Sequence, residues 1–535
     1  MQINHNSKNL LLHSGRIYTQ DPEYPFFQAM AIADGRIQWL GNNDDLYAIP
    51  SDRYEIIDLA GQTVLPGFCD AHMHFGYWAA TLDQINVHGC KSYRQVLNKL
   101  KQAAQNLKRG EWLTGTGWQH DQWKEGVWPH RDDLDKIAPA NPAAISSHDE
   151  HCMWLNSAAL KKIKIDENTA DPEGGEISRD KNGRLTGILK EKATGMAYRS
   201  IPHPKGKKAH DLLERAQRKC HQLGITALSS FDSVEGFHAL QEYHRKTGFK
   251  LRIAYYLPSR FLDEAVTLGL VSGLGDDRLK IMGVKFFADG ALGSQTALMF
   301  KPYDGSDNCG IAQMTVEELS EGVRRADRAG LYAAIHAIGD RANYNAYSAI
   351  KNVVGRGRKN HRHRIEHCQV LRRAEIAKFA EIGVIGSVQP CHILQDIDLI
   401  HKYWGKRGRY AYAFKSMQNA GITLAFGSDA PIEQPGPLWN IYCAVTRSRP
   451  ADGQPFYPAE KIGVEEAVRA HTANGAYALG WEKQFGSITV GKYADIVIIN
   501  RDIHIVSPDD IPKVEVTATI FNGEFVYGRE KFTEW

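Results

Sequence analysis

A chain of 535 residues exceeds one ordinary globular domain and suits a barrel with insertions plus a modest second domain. With 43% hydrophobic and 24% charged residues it has a globular balance, and 65 basic against 62 acidic residues, a formal charge of +3, leave no electrostatic footprint for nucleic acid. No apolar run approaches the ~20 residues of a bilayer-spanning helix, the N-terminal stretch lacks the pattern of a secretory signal, and the 8 cysteines show no CxxC spacing. The expectation is a cytoplasmic protein with reduced cysteines and a small-molecule substrate, without nucleic-acid or membrane partners, its homo-oligomeric state left open.

Residues 9 to 65 hold short β-prone runs, Leu10–His13, Ala29–Ala33 and Ile37–Leu40, with an Asp34-Gly35 turn that marks a hairpin. From Thr63 the pattern changes to apolar strand-length segments, most of them followed by helix-patterned stretches such as Val316–Ala329 and Ala374–Ile382, which is the signature of parallel βα units. Eight strands are predicted: Thr63–Asp70, Gly224–Phe231, Leu251–Leu257, Ile281–Ala288, Tyr332–His336, Arg364–Cys368, Val384–Gln389 and Thr423–Ser428. A parallel barrel closes at that number. The gap between the first two is too long for one crossover, so residues 77–210 are read as an inserted subdomain, opening with a helix over Tyr93–Lys108 and including a turn-rich stretch over Asp166–Arg184. Residues 486–527 return to β character, with Gly486-Ser487 entering a strand, another strand over Asp495–Ile499, and an Asn522-Gly523 hairpin. The predicted fold is therefore α/β: a (β/α)8 TIM barrel over 63–481 and a β-sandwich built jointly by 1–62 and 482–535.

The strongest local motif is PGFCDAHMHF, in which a strand runs into His72-Met73-His74. Alternate side chains of a strand share a face, so the two histidines can reach one metal ion. Taken alone this is also what two surface histidines look like. The other predicted strand ends supply Lys285 in GVKFFADG, His336 in AAIHAIGDRA, His367 in HRIEHCQ and Asp429 in AFGSDAP. Each has a bland reading, as a core histidine, a snorkelling lysine or a helix cap. As a set at the C-terminal ends of barrel strands, where active sites of such barrels lie, they point to a catalytic metal centre.

With those residues in place the chain resembles the amidohydrolase superfamily, in its third amidohydrolase branch, which includes N-substituted formamide deformylases. The likeness runs the full length through Asp149–Leu160, Thr186–Ala193, Val284–Ala297, His336–Ala342, Val388–Asp396 and Gly486–Ile498. Two departures stand out: Glu150, where relatives carry glycine before His151, and Ser229-Ser230-Phe231-Asp232, where a His-Asp pair is commoner. The resemblance implies that His72, His74 and Asp429 hold one divalent metal and His336 and His367 a second, with a carbamylated Lys285 between them. It further implies zinc, with manganese, cobalt or iron as alternatives, and cleavage of a C–N amide-type bond by metal-activated hydroxide with Asp429 as general base and acid. A mononuclear deaminase, a lactone or ester hydrolase, and a non-catalytic relative are the competing readings. Six tryptophans (78, 112, 118, 123, 128 and 154) in or beside the insertion suggest an aromatic-walled pocket, with Trp118 and Trp154 as substrate contacts. His151, Asn156, Asp289, Arg341 and Gln389 complete the expected substrate-binding set, with Asp340 beside them.

Overall fold

The structure, a computed structural model, describes residues 9–148, 150, 152–354, 361–450 and 453–532. The chain forms two compact units: the segments up to Gly76 and from Leu213 onward make one, and Tyr77–Leu212 the other.

The first unit begins with a β-sandwich. Its four-stranded sheet takes Leu10–His13, Ala29–Ala33, Arg36–Gly41 and Glu55–Asp58, and its six-stranded sheet joins Arg16–Tyr18, Phe26–Phe27 and Thr63–Pro66 to Ile496–Ile499, Val516–Phe521 and Glu524–Tyr527. Both foreseen hairpins form. Asp34 and Gly35 have φ of 51° and 74°, and Asn522 and Gly523 have 50° and 78°, the left-handed pairs that a two-residue hairpin turn requires. Leu12, Ile17, Ile32 and Val64 bury against Ile496, Ile498, Ala518 and Ile520, so the two chain ends share one core.

The barrel strands are β1 (Phe68–Met73), β2 (Ile225–Ser230), β3 (Arg252–Pro258), β4 (Leu279–Phe287), β5 (Tyr332–Ala337), β6 (Arg364–His367), β7 (Ile385–Val388) and β8 (Thr423–Phe426). All adjacent pairs from β1 to β8 are parallel. The ring is completed just past β8, where Asp429 N donates to His72 O at 2.6 Å and His74 N to Ala430 O at 2.8 Å. Gly427 permits that approach, because a Cβ there would lie 2.4 Å from His72 N.

The predicted strand over Thr63–Asp70 is two strands. Thr63–Pro66 pairs antiparallel with Ile496–Ile499 in the sandwich, and the barrel strand starts only at Phe68. Between them Gly67 N donates to Asp495 O, and a Cβ on Gly67 would lie 2.3 Å from Thr226 Oγ1. The segment entered by Gly486-Ser487 is not a strand; Ile488 N donates to Thr19 O instead.

A buried ion pair ties sandwich to barrel. Arg252 on β3 donates from Nε and Nη2 to Asp495 at 2.6 and 3.1 Å, its guanidinium 4.2 Å from the Tyr493 ring centre and 4.9 Å from that of Phe521.

The second unit is built on a six-stranded mixed sheet, Ile85–Asn86, Leu113–Trp118, Ala143–Ser147, Cys152–Leu155, Leu185–Glu191 and Gly175–Arg179, which the sequence reading did not anticipate. The expected helix forms over Tyr93–Ala104, started by Ser92, whose side chain accepts from Gln95 N. Among the described residues no helix is long and apolar enough to cross a membrane.

Candidate metal centre

The C-terminal mouth of the barrel gathers the foreseen residues. Among the described residues His72, His367 and Asp429 place metal-ligating atoms within 4.8 Å of one another. His72 Nε2 and His74 Nε2 lie 3.4 and 3.5 Å from Asp429 Oδ1, and Lys285 Nζ lies 3.5 Å from His72 Nε2. The His336 ring is centred 4.5 Å from that of His367.

Each imidazole has one nitrogen tied down. His72 Nδ1 meets Glu366 Oε2 at 2.6 Å, His74 Nδ1 meets Phe231 O at 2.9 Å, His367 Nδ1 meets Gln389 Oε1 at 2.7 Å, and His336 Nε2 meets Gly290 O at 3.0 Å. Such partners fix ring orientation and tautomer, leaving the other nitrogen as a ligand. Burial comes first among the causes that pull His72 down to about 4 and His336 to about 3, and it also holds His367 well below the usual imidazole range. All three are neutral at pH 7, as metal ligation requires. Burial would raise Asp429, but His72, His74 and His367 outweigh it and hold the carboxyl ionised, well below the ordinary carboxylate range. Lys285 is pulled down to about 8, mainly by burial and against Glu366 and Asp429.

Backbone conformation marks the same place. Asp429 and His367 have φ of 62° and 71°, a region that costs a non-glycine residue about 1–3 kcal/mol and that clusters at functional sites.

Three supporting residues were missed by the sequence reading. Glu366 is fully buried beside His72 and ion-pairs with Arg364, which is equally buried and also donates to Ala71 O and to the hydroxyls of Ser229 and Ser387. Asp70 Oδ1 accepts from His72 N at 3.2 Å and Ser428 N at 3.0 Å, bridging β1 to the end of β8; burial pushes its carboxyl up to about 6. The available signal was a carboxylate inside a buried strand that also carries a foreseen ligand, Asp70 in FCDAHM and Glu366 in RIEH.

The expected substrate contacts divide. Gln389 stands in the centre, holding His367. Asp289 is buried, accepting from Leu298 N, Ile338 N and Gly339 N, with its carboxyl pushed by burial up to about 7. Its oxygens organise the loops after β4 and β5, and Oδ1 is 3.6 Å from His336 Nε2. Asp340 likewise accepts from Phe300 N, while Arg341 is exposed on the first turn of the helix Asp340–Val354. In the second unit Asn156 caps the helix Ser157–Lys162, accepts from Ala143 N and Ala159 N and donates to Ala138 O and Asn141 O, so its amide is fully used by the unit's own backbone. Trp118 donates to Ile145 O and shares a core with Trp123 and Trp154. Those three rings pack into the insertion's own interior. His151 lies outside the described residues.

Residues 55–527 match the profile of the amidohydrolase family. The chain is 32% identical to Protein LONG AFTER FAR-RED 3 of Arabidopsis thaliana, over 97% of this chain and 91% of that protein. It is 25% identical to the N-substituted formamide deformylase of Arthrobacter pascens, over 98% and 99% respectively. Among solved structures it resembles an uncharacterized metal-dependent hydrolase of Pyrococcus horikoshii OT3, with a TM-score of 0.78 and 27% identity over 94% of this chain and 99% of that one.

Proposed function

Because the chain belongs to the amidohydrolase family, we propose that it hydrolyses a C–N amide-type bond, N-formyl, N-acyl or cyclic amide, with divalent metal held by His72, His74, Lys285, His336, His367 and Asp429. The observation that carries this reading is the set of four imidazoles, each tied through one nitrogen to a protein acceptor, converging on an ionised aspartate. Neutral imidazoles with a carboxylate are a donor set that suits zinc, manganese, cobalt or iron.

The donors suffice for two ions: His72, His74 and Asp429 for one, His336 and His367 for the other. Lys285, its Nζ 3.5 Å from His72 Nε2, would join this donor set as a carbamate. A buried amine that spends part of its time neutral adds carbon dioxide at Nζ and releases a proton, turning a cation into an anionic oxygen donor. Bound in this cluster, the metal supplies Lewis acidity, polarising a scissile carbonyl and acidifying water. Asp429 takes the proton of the attacking water and passes it to the leaving nitrogen. Glu366 and Gln389 hold His72 and His367 in register throughout, and Phe231, its ring 4.3 Å from that of His72, keeps the floor of the site apolar.

Metal analysis together with mass measured under native conditions tests the reading. Two equivalents of metal and a carbon dioxide adduct lost on acidification are the expected result, with activity abolished by a chelator and restored by zinc, manganese or cobalt. One equivalent without an adduct would leave a mononuclear enzyme, and undiminished turnover by metal-free protein would refute the proposal.

A further inference from the structure

Burial along β4 is unbroken from Leu279 to Phe286 and stops at Phe287, which is 45% exposed. Alternate strand residues share a face, so Phe287 is on the side of Lys285, one step nearer the mouth. Phe286 faces the other way, against the helix Val316–Arg328, where a Cβ on Gly322 would lie 2.7 Å from its ring. Register sets Phe287 opposite His336, with ring centres 5.3 Å apart, and Lys285 Nζ lies 5.1 Å from the Phe287 ring centre. A second ring, Phe231, flanks the same amine at 4.5 Å, but it is 7% exposed and stacked on Tyr256. Two aromatic rings thus border Lys285, and only one of them has been packed away.

A phenylalanine left open at the surface is ordinary by itself. Here the open ring rests on two members of the metal centre, where a molecule positioned for reaction must pass. Resting on the metal-hydrolase reading above, we infer that Phe287 forms an apolar subsite that takes an uncharged aromatic or branched substituent of the substrate beside its scissile bond, and so sets substrate preference. The ring itself offers neither a hydrogen bond nor a counter-charge, so a polar or charged group laid against it would give up hydration that the ring does not replace.

Two metal-chelating probes of different size test this without relying on turnover: acetohydroxamate and phenylacetohydroxamate, titrated into metal-loaded wild-type protein, F287A and F287L. Wild type is expected to prefer the phenyl compound. F287A should lose about five- to tenfold of that preference, the size of one aromatic contact, while F287L, which restores apolar area, keeps part of it. Metal content measured on the same samples shows whether the centre is intact. An unchanged preference in F287A with full metal content overturns the subsite alone. Failure of wild type to bind either hydroxamate overturns the metal-hydrolase reading and the subsite with it.

Discussion

Replacing Glu366 by glutamine removes one charge from a fully buried group that serves two partners, His72 Nδ1 at 2.6 Å and the Arg364 guanidinium at 3.0 Å from Nη2 to Oε2. Taking one partner from a buried ion pair costs about 3–5 kcal/mol, because the other charge stays buried without its counter-ion. The amide keeps the shape and one acceptor, and Arg364 retains Ala71 O and two hydroxyls, which places the loss near 3 kcal/mol, roughly a hundredfold in the folding equilibrium. His72 also loses the carboxylate that fixes its tautomer, a change that typically lowers metal affinity about 10- to 100-fold. Urea unfolding of chelator-treated protein, followed by tryptophan fluorescence, reads the first effect, and competition for zinc with a chromogenic chelator reads the second. There is also a pH signature. Burial would raise Glu366, but Arg364 and His72 prevail and hold it well below its ordinary value. Its contribution is therefore complete above the unfolded value of about 4.3 and is lost as the pH falls through the depressed folded value. A Glu366→Gln protein within about 1 kcal/mol of wild type and with unaltered zinc affinity would refute the assignment of this carboxylate as the keystone of the site.

Asp429→Asn should keep the fold and lose about 10²–10⁴ in kcat, since the amide cannot accept the water proton; near-normal turnover would move the base elsewhere. His221 and His471, buried and bonded to Lys250 O and Cys69 O, are both drawn down to about 4, chiefly by burial. With an unfolded value near 6.5, the unfolded chain binds the extra protons, so stability is steady above that pH and falls by up to about 1.4 kcal/mol per pH unit per histidine between roughly 6 and 4. Unfolding midpoints should therefore flatten with pH in the His221→Gln and His471→Gln proteins, and an unaltered slope would contradict the assignment. Asp495→Asn leaves the buried Arg252 with the Asp277 carbonyl at 2.8 Å and the half-exposed Asp277 carboxylate at 3.6 Å, and should cost about 3 kcal/mol in chemical denaturation; an unchanged midpoint would show that Asp277 and the aromatic rings suffice to hold Arg252.

The ligand candidates were legible because each is a polar residue at the end of an apolar run, and a barrel brings all such ends to one face. His72, Lys285, His336, His367 and Asp429 needed only that rule. The split at Gly67 was hidden because Val64-Leu65-Pro66-Gly67-Phe68-Cys69 reads as one apolar segment, and the cause of the break, the approach of Asp495 and Thr226, comes from distant sequence. Glu366 was hidden for the same kind of reason: a charge inside a strand makes sense only when Arg364, its neighbour on the same face, and His72, from the first strand, are both beside it. The insertion's sheet escaped notice because its strands are short and glycine-broken, as in Leu113-Thr114-Gly115-Thr116-Gly117-Trp118. Asn156, Trp118 and Trp154 resembled site residues by type and neighbourhood, yet the hydrogen bonds of Asn156 and the packing of both rings serve the interior of their own unit.

The pairing of Thr63–Pro66 with Ile496–Ile499 has a consequence for how this molecule is made. During synthesis the N-terminal strands leave the ribosome with three strands of the six-stranded sheet still untranslated, so the core that Ile17 and Val64 share with Leu12 and Ile32 lacks Ile496, Ile498, Ala518 and Ile520 until the last segment emerges. Contacts of such sequence separation close slowly, and the waiting strands present open edges in the meantime. The barrel's first strand begins two residues after Pro66 and closes against the end of its eighth, so ring and sandwich are both completed late in translation. Nascent chains stalled before residue 496 should therefore be protease-sensitive from the N-terminus to Pro66, ahead of the barrel's first strand.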